Sequence, residues 1–258
     1  MKLVKSLIAG AALLVASQAP AYEITIGGVT WEPDWLTPGT ALGDGDFVAS
    51  GGFTQWFSST NTTGALDFSS KQALSDVGIG SFLSGVGELS LVQGGTDFCS
   101  GCELTYAYGG FEVNGINTFD VSNAWINFYV TEDSAVDFNY LNVLGSGQTE
   151  IDKAFAASTW LELAIASAEL QSVTLFEGTL VSQGYVTGGL AELNFDNDYF
   201  GGIVDALATG ITIGSFNQQT GLAIGSMNVL ADTVPVPAPL ALLGLGLVAL
   251  GLRARKAA

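Results

Sequence analysis

An all-β fold, a single glycine-rich β-sandwich-like domain, is what this chain predicts, and three observations predict it. Apolar and polar residues alternate with period two over short stretches, as in half-buried strands. The chain carries 34 glycines in 258 residues, and they punctuate those stretches as turns would. Both ends read as targeting segments to be set aside from the fold: a signal peptide at 1–21 and a short C-terminal transmembrane helix within 233–258. The remaining segment, 22–230, is about 210 residues long, enough for one domain with a proper core.

Strands are expected near 23–31, 46–53, 86–92, 103–113, 124–130, 135–139, 160–166, 172–181, 190–196, 211–216 and 222–229. The alternation is plainest where Trp125, Asn127 and Tyr129 oppose Ile126, Phe128 and Val130. Leu104, Tyr106 and Tyr108 alternate with Thr105 and Ala107. Leu161, Leu163 and Ile165 do so with Glu162 and Ala164, and Val173 and Leu175 with Thr174 and Phe176. Many short strands with Gly-rich turns favour a sandwich or a related all-β architecture. The stretch 59–84 is polar and Ser-rich, with a short helix expected at 70–76. One or two helical turns are expected at 150–157. No repeat is long enough for a solenoid.

At the N-terminus, Lys2 and Lys5 precede an apolar stretch from Leu7 to Ala16 and then Ala19-Pro20-Ala21. That order is a secretory signal peptide, cleaved before Tyr22 by signal peptidase. The C-terminus has three parts. Val234, Pro235, Val236, Pro237, Ala238 and Pro239 form a proline-spaced motif, 240–252 is an apolar run, and Arg253, Arg255 and Lys256 form a basic cluster at 253–256. The prolines keep the motif extended and accessible. As a helix the apolar run covers roughly 20 Å, a marginal span of a hydrocarbon core about 30 Å thick. Gly244, Gly246 and Gly251 weaken it further as a permanent anchor. Basic residues after the run place the C-terminus in the cytoplasm and the body outside.

This tail resembles the PEP-CTERM sorting signal of Gram-negative bacteria in its Val-Pro-x-Pro-Ala-Pro form. The resemblance implies recognition by an exosortase, a membrane-embedded transpeptidase-like enzyme that would cut near 237–239. The protein would then be held transiently in the inner membrane and passed to the cell surface or extracellular matrix. Association with exopolysaccharide in a biofilm is likewise an implication of the resemblance. A plain C-terminal anchor with a Pro-rich linker is the alternative. The body resembles an uncharacterised group of exported PEP-CTERM proteins at 26–34 (IGGVTWEPD), at 99–106 (CSGCELTY) with Gly109-Gly110-Phe111, and at Asn194-Phe195-Asp196. That likeness carries no activity with it.

Charge narrows the function classes. Of 7 basic residues only Lys71 and Lys153 lie between the two ends, against 25 acidic ones, a formal charge near −23 for the body. Such a surface repels phosphate, so no nucleic-acid partner is expected. Adaptation to a saline setting explains the acidity more simply than cation binding does.

Absence of histidine removes Ser-His-Asp and Cys-His catalysis and His-ligated metal sites. No Gly-rich stretch carries a P-loop lysine. Cys99 and Cys102 are the only cysteines, and in an exported chain they are expected to form a disulfide that stiffens the turn into 103–113. Asp97 and Glu103 beside them discourage thiolate chemistry. Asp44 and Asp46, and Asn194 with Asp196 and Asp198, offer the oxygen-rich spacing of a weak calcium site. Those same residues are ordinary turn formers, so no cofactor is assigned. Trp125 and Trp160, in strands, are expected in the core; Trp35 and Trp56, near loops, are the better candidates for exposure, with core or loop packing expected for most of the tryptophans.

The expected role is therefore non-enzymatic: a structural or adhesive protein of the cell surface. Two alternatives are a carbohydrate-active enzyme using a carboxylate pair and a calcium-dependent carbohydrate-binding module. A cleft with converging acids and aromatic walls would favour the enzyme, and a smooth acidic surface the matrix protein.

Overall fold

The computed structural model describes residues 23–33, 47–61, 64–132, 137–174, 176–195, 207–213, 216–231 and 233. All of them belong to one unit, Glu23–Val234. The signal peptide at 1–21 and the tail from 234 onward lie outside the described residues.

The alternation becomes strands β1 (Ile24–Ile26), β2 (Val29–Trp31), β3 (Phe47–Ser58), β4 (Phe82–Val92), β5 (Glu103–Gly115) and β6 (Thr118–Asp120). They are followed by β7 (Trp125–Thr131), β8 (Ser158–Thr174), β9 (Glu177–Gly188), β10 (Leu207–Ile213) and β11 (Leu222–Ala231). β1 and β2 form a separate hairpin. The others form one 9-stranded antiparallel sheet in which β11 returns to pair with β3, and a further pairing of β4 with β5 closes the ring. Strands adjacent in the chain are adjacent in space, the up-and-down arrangement of a barrel; β6 continues the β5 edge beyond β7. The all-β expectation is met by one curled sheet rather than two stacked ones, and its opposing walls share a core as the inner faces of a sandwich do.

Period two decides what lies inside. Phe53 and Phe57 of β3, Leu83 and Leu89 of β4, and Leu104, Tyr106 and Tyr108 of β5 belong to one buried cluster. Ile126, Phe128 and Val130 of β7 and Leu161, Leu163 and Ile165 of β8, the next two strands around the ring from β5, join it. Glycine makes room for the rings. A Cβ on Gly85 would lie 2.4 Å from Tyr108 Cζ, and one on Gly87 2.4 Å from Tyr106 Cζ. Those are the residues paired across β4 and β5. Aromatic rings also plug both mouths. Trp31, Phe47, Trp160 and Phe195 meet at the mouth beneath the β1–β2 hairpin, with Trp31 and Phe195 centroids 5.4 Å apart. Trp160 Nε1 donates to Ile26 O at 2.9 Å and ties the hairpin down. Phe57, Phe176 and Phe216 gather at the other mouth.

The outer wall has two characters. On β8, β9 and β11 the exposed residues include Ser167, Glu169, Gln171, Gln183, Ser226 and Asn228. The described part of that face is mainly polar, with Tyr185 and Ile224 also exposed on it, and differs from the continuous apolar outer band of a membrane-spanning barrel. Over β3, β4, β5 and β7 the wall is apolar instead: Trp56, Val86, Ala107, Trp125 and Tyr129 form a second cluster. It is covered by Leu66 and by Phe138, Val143, Ile151 and Ala154 of the 137–157 segment. This layer holds a 3-10 turn (Tyr140–Asn142), α1 (Val143–Ser146) and α2 (Gln148–Phe155).

α2 matches the helical turns expected at 150–157. The helix expected at 70–76 is two 3-10 turns, Phe68–Ser70 and Leu74–Asp76. Four strand expectations change. The stretch 23–31 is not one strand but the β1–β2 hairpin, which turns at Gly27 and Gly28 with positive φ. Residues 137–139 are not a strand but lead into the 3-10 turn at Tyr140, with Asn139 capping it through Leu141 N–H. The stretch 172–181 contains a hairpin turn, since Thr174 pairs with Glu177. The stretch 190–196 is the short helix α3 (Glu192–Phe195), which buries Asn194 and Phe195 and leaves Leu193 outside. Gly189, at φ +107, turns the chain out of the sheet there. Among the described residues, no helix is long and apolar enough to cross a membrane.

Candidate functional site: an acidic cleft beside the disulfide

Cys99 and Cys102 are joined, with Cα atoms 5.1 Å apart. Their loop leads directly into β5, as the sequence suggests, and it also holds the β1–β2 hairpin. Thr30 N–H donates to Phe98 O at 2.8 Å, and a Cβ on Gly28 would lie 3.1 Å from Cys102 Sγ.

Beside this loop opens a cavity of about 520 Å³, lined by Glu88, Phe98, Cys102, Glu103, Thr131 and Asp137, among others. Three separate elements supply its carboxylates. Glu88 points outward from β4, opposite Thr105, and Glu103 points outward at the start of β5. Asp137 stands at the entry to the outer layer. Glu103 carries the most contacts: Phe138 N–H lies 3.2 Å from Oε1 and 3.3 Å from Oε2.

Burial pushes the Glu103 carboxyl up to about 7, the charges of Glu88, Asp137 and Glu150 add to the rise, and the Phe138 N–H opposes it. Burial also raises Glu88, with Asp137 contributing. Like charges gathered in a half-dry site disfavour full ionisation, so the cleft holds a proton near neutral pH. The nearest counter-charge is committed elsewhere. Lys153 Nζ pairs with Glu150 at 2.9 Å and donates to Asp137 O at 2.9 Å. Chemically, the arrangement can give or take a proton near neutrality, and its surplus negative charge attracts cations.

The structure does not gather the residues that sequence reasoning favoured for calcium. Asp44, Asp46, Asp196 and Asp198 lie outside the described residues. Asn194 is buried on α3, and its Nδ2 has no hydrogen-bond partner among the described residues. Among the described residues, no group of three or more Asp, Glu or Cys side chains is arranged to hold a metal. Val234, Pro235, Val236, Pro237, Ala238, Pro239, Arg253, Arg255 and Lys256 also lie outside them, as does Trp35. Trp125 and Trp160 are buried, as expected for strand tryptophans. Trp56, one of the two better candidates for exposure, is buried instead. It is 1% exposed, since it faces outward from β3 into the covered cluster and meets Phe68 edge-on at 5.2 Å.

Sequence reasoning noticed Glu103 only as a charge beside Cys102. Glu88, Glu103 and Asp137 are far apart in the chain, and only the β4–β5 register and the fold-back of the outer layer unite them. No protein-family model matches the chain, and comparison with curated proteins and with solved structures finds no match.

Proposed function

We propose that this is an exported protein of the cell surface or extracellular matrix, delivered by an exosortase that recognises 234–239, and that it serves a structural or adhesive role alongside exopolysaccharide. The observation that carries this reading is the order of the tail: proline motif, short apolar run, basic cluster. A barrel with side chains filling its interior suits a protein whose outer surface is its working part. The test is the intact mass of the native protein in membrane and extracellular fractions of its host. A matrix species lacking both 1–21 and the apolar tail supports the reading. A full-length tail retained in the inner membrane refutes it and leaves a plain anchor.

One observation favours a second reading, a carbohydrate-active enzyme. The cleft brings three carboxylates together with one poised near neutral pH, as general acid–base catalysis requires. Its one aromatic wall is Phe98. Under this reading Glu103 would donate the proton and Glu88 or Asp137 would assist. Hydrolysis of a neutral glycan that E103Q and E88Q each abolish would establish it. Turnover that both variants retain would end it. A calcium-dependent binding module is the weakest reading, and a melting temperature unmoved by millimolar calcium or EDTA would dismiss it.

A further inference from the structure

We infer that Glu103 is a pH-operated latch that fastens the 137–157 layer to the barrel wall. Among the described residues, three polar points attach the layer to the barrel in ways that bear on pH. Thr54 Oγ1 donates to Tyr140 O at 2.7 Å, and Thr105 Oγ1 donates to Ala154 O at 2.9 Å. The third point is the Glu103 carboxylate, which receives Phe138 N–H at the layer's entry. Next to it, Glu150 of α2 receives Asn139 N–H at 2.9 Å. The two hydroxyl attachments do not titrate in the working range. Glu103 does.

The groups facing Glu103 decide the direction. β4 presents Glu88, the layer presents Asp137, and α2 presents Glu150. β7 presents Thr131, and the disulfide loop presents Thr96, Phe98 and the bridged cysteines, none of them charged. Lys153 is the cation in the layer, and it is already engaged by Glu150 and Asp137 O. Protonated Glu103 still accepts Phe138 N–H through its carbonyl oxygen, and its hydroxyl is free to donate into the cleft. Ionised Glu103 adds a charge that repels Asp137 and Glu150, both on the layer. The stronger hydrogen bond that an ionised carboxylate makes to Phe138 N–H opposes this, but burial outweighs it. The latch is therefore closed in mild acid and loosened in mild alkali. Loosening would bare Trp56 and Trp125 on the barrel wall.

The experiment is hydrogen exchange by mass spectrometry on the full-length chain between pH 5.5 and 8.5, normalised for the intrinsic exchange rate, with the β8–β9 hairpin as internal reference. Protection across 138–155 is expected to fall about tenfold over that range, the half-buried site being partly screened by solvent. Its midpoint should lie near neutrality, and the hairpin should stay constant. E103Q should keep high protection at both ends of the range, because the amide oxygen still accepts and no charge forms. D137N should move the midpoint to lower pH, because removing the repelling Asp137 charge makes Glu103 easier to ionise. A flat wild-type profile overturns the proposal. So does a wild-type fall that E103Q reproduces, or a D137N midpoint that moves up or stays fixed.

Discussion

Gly87→Ala is the perturbation that tests the packing of the barrel most directly. The new Cβ would lie 2.4 Å from Gly52 O and 2.4 Å from Tyr106 Cζ. Ordinary contact for such atoms is about 3.5 Å, so roughly 1 Å of displacement is needed. Neither neighbour yields freely. Gly52 is fixed in the β3–β4 ladder, and Tyr106 is fully buried with its hydroxyl donating to Gly52 O at 3.1 Å. Overpacking of a tight core costs about 1–3 kcal/mol. Losing the tyrosine hydrogen bond and leaving its buried partners unsatisfied adds about 1–3 kcal/mol. The expected loss is thus about 2–6 kcal/mol, a large share of the 5–15 kcal/mol typical of a domain. Urea unfolding followed by tryptophan fluorescence reads it as a fall in midpoint at constant slope. The control is Gly145→Ala in α1, where nothing lies within 4 Å of the added carbon. That change should stabilise by up to about 1 kcal/mol, because alanine favours helix. If Gly87→Ala falls within about 0.5 kcal/mol of wild type, a level typical of neutral surface changes, the tyrosine-on-glycine packing is wrong.

Other perturbations have equally definite outcomes. The carboxyl of Glu103 is raised from 4.5 to about 7, so the folded state holds this proton more tightly than the unfolded one. The resulting stability is fully present below about pH 4.5 and is lost as pH rises through about 7. After discounting for a half-exposed site the loss is about 1–2 kcal/mol, and E103Q should be the more stable protein at pH 8 by about that amount. Equal stability of E103Q and wild type at pH 8 would contradict this. Reducing the Cys99–Cys102 bridge closes no long loop, so the chain-entropy estimate is at most about 2 kcal/mol. Far-ultraviolet circular dichroism should keep its β signature after reduction, while exchange in the β1–β2 hairpin rises; global unfolding would show the bridge to be essential. Trp160→Phe removes the donor to Ile26 O and should cost about 1–2 kcal/mol, with the hairpin again the first segment to lose protection.

The strands were legible where one face is buried and the other wet. Trp125 to Val130 alternates because β7 has the lumen on one side and the outer layer on the other. The same fact hid Trp56. Period two says only that Trp56 and Phe57 face opposite ways, and a second buried cluster outside the barrel cannot be read from one strand. Residues 190–196 misled for a related reason. Leu190 and Leu193 look like core residues, yet they are 55% and 83% exposed, and Phe195 enters the aromatic plug instead. Closure of the sheet was also illegible, because it depends on β11 reaching β3 and on β4 pairing with β5, both set by curvature rather than by local pattern. The disulfide was legible from the spacing of Cys99 and Cys102 together with the expectation of export. The acidic cleft was not, since among 25 acids no local signal marks the ones that converge.

Side chains fill the lumen, although among the described residues Gln55 Nε2 has no hydrogen-bond partner there. Its tyrosine hydroxyls are used internally, Tyr106 on Gly52 O and Tyr108 on Gln55 Oε1 at 2.8 Å, and rings occupy both mouths. The acidic groups that converge lie instead on the outer wall, where Glu88, Glu103 and Asp137 meet. Ionising Glu103 there costs the fold stability near neutral pH, and a purely structural surface has no need of that cost. E103Q separates the explanations. A variant that gains stability in alkali and loses a glycan-hydrolysing activity marks the cost as catalytic. A variant that gains stability and loses only the pH dependence of the 137–157 layer marks it as a latch. If it gains stability and the layer's pH response persists, neither role belongs to Glu103, and the cleft is a by-product of where an acidic barrel folds its outer layer back.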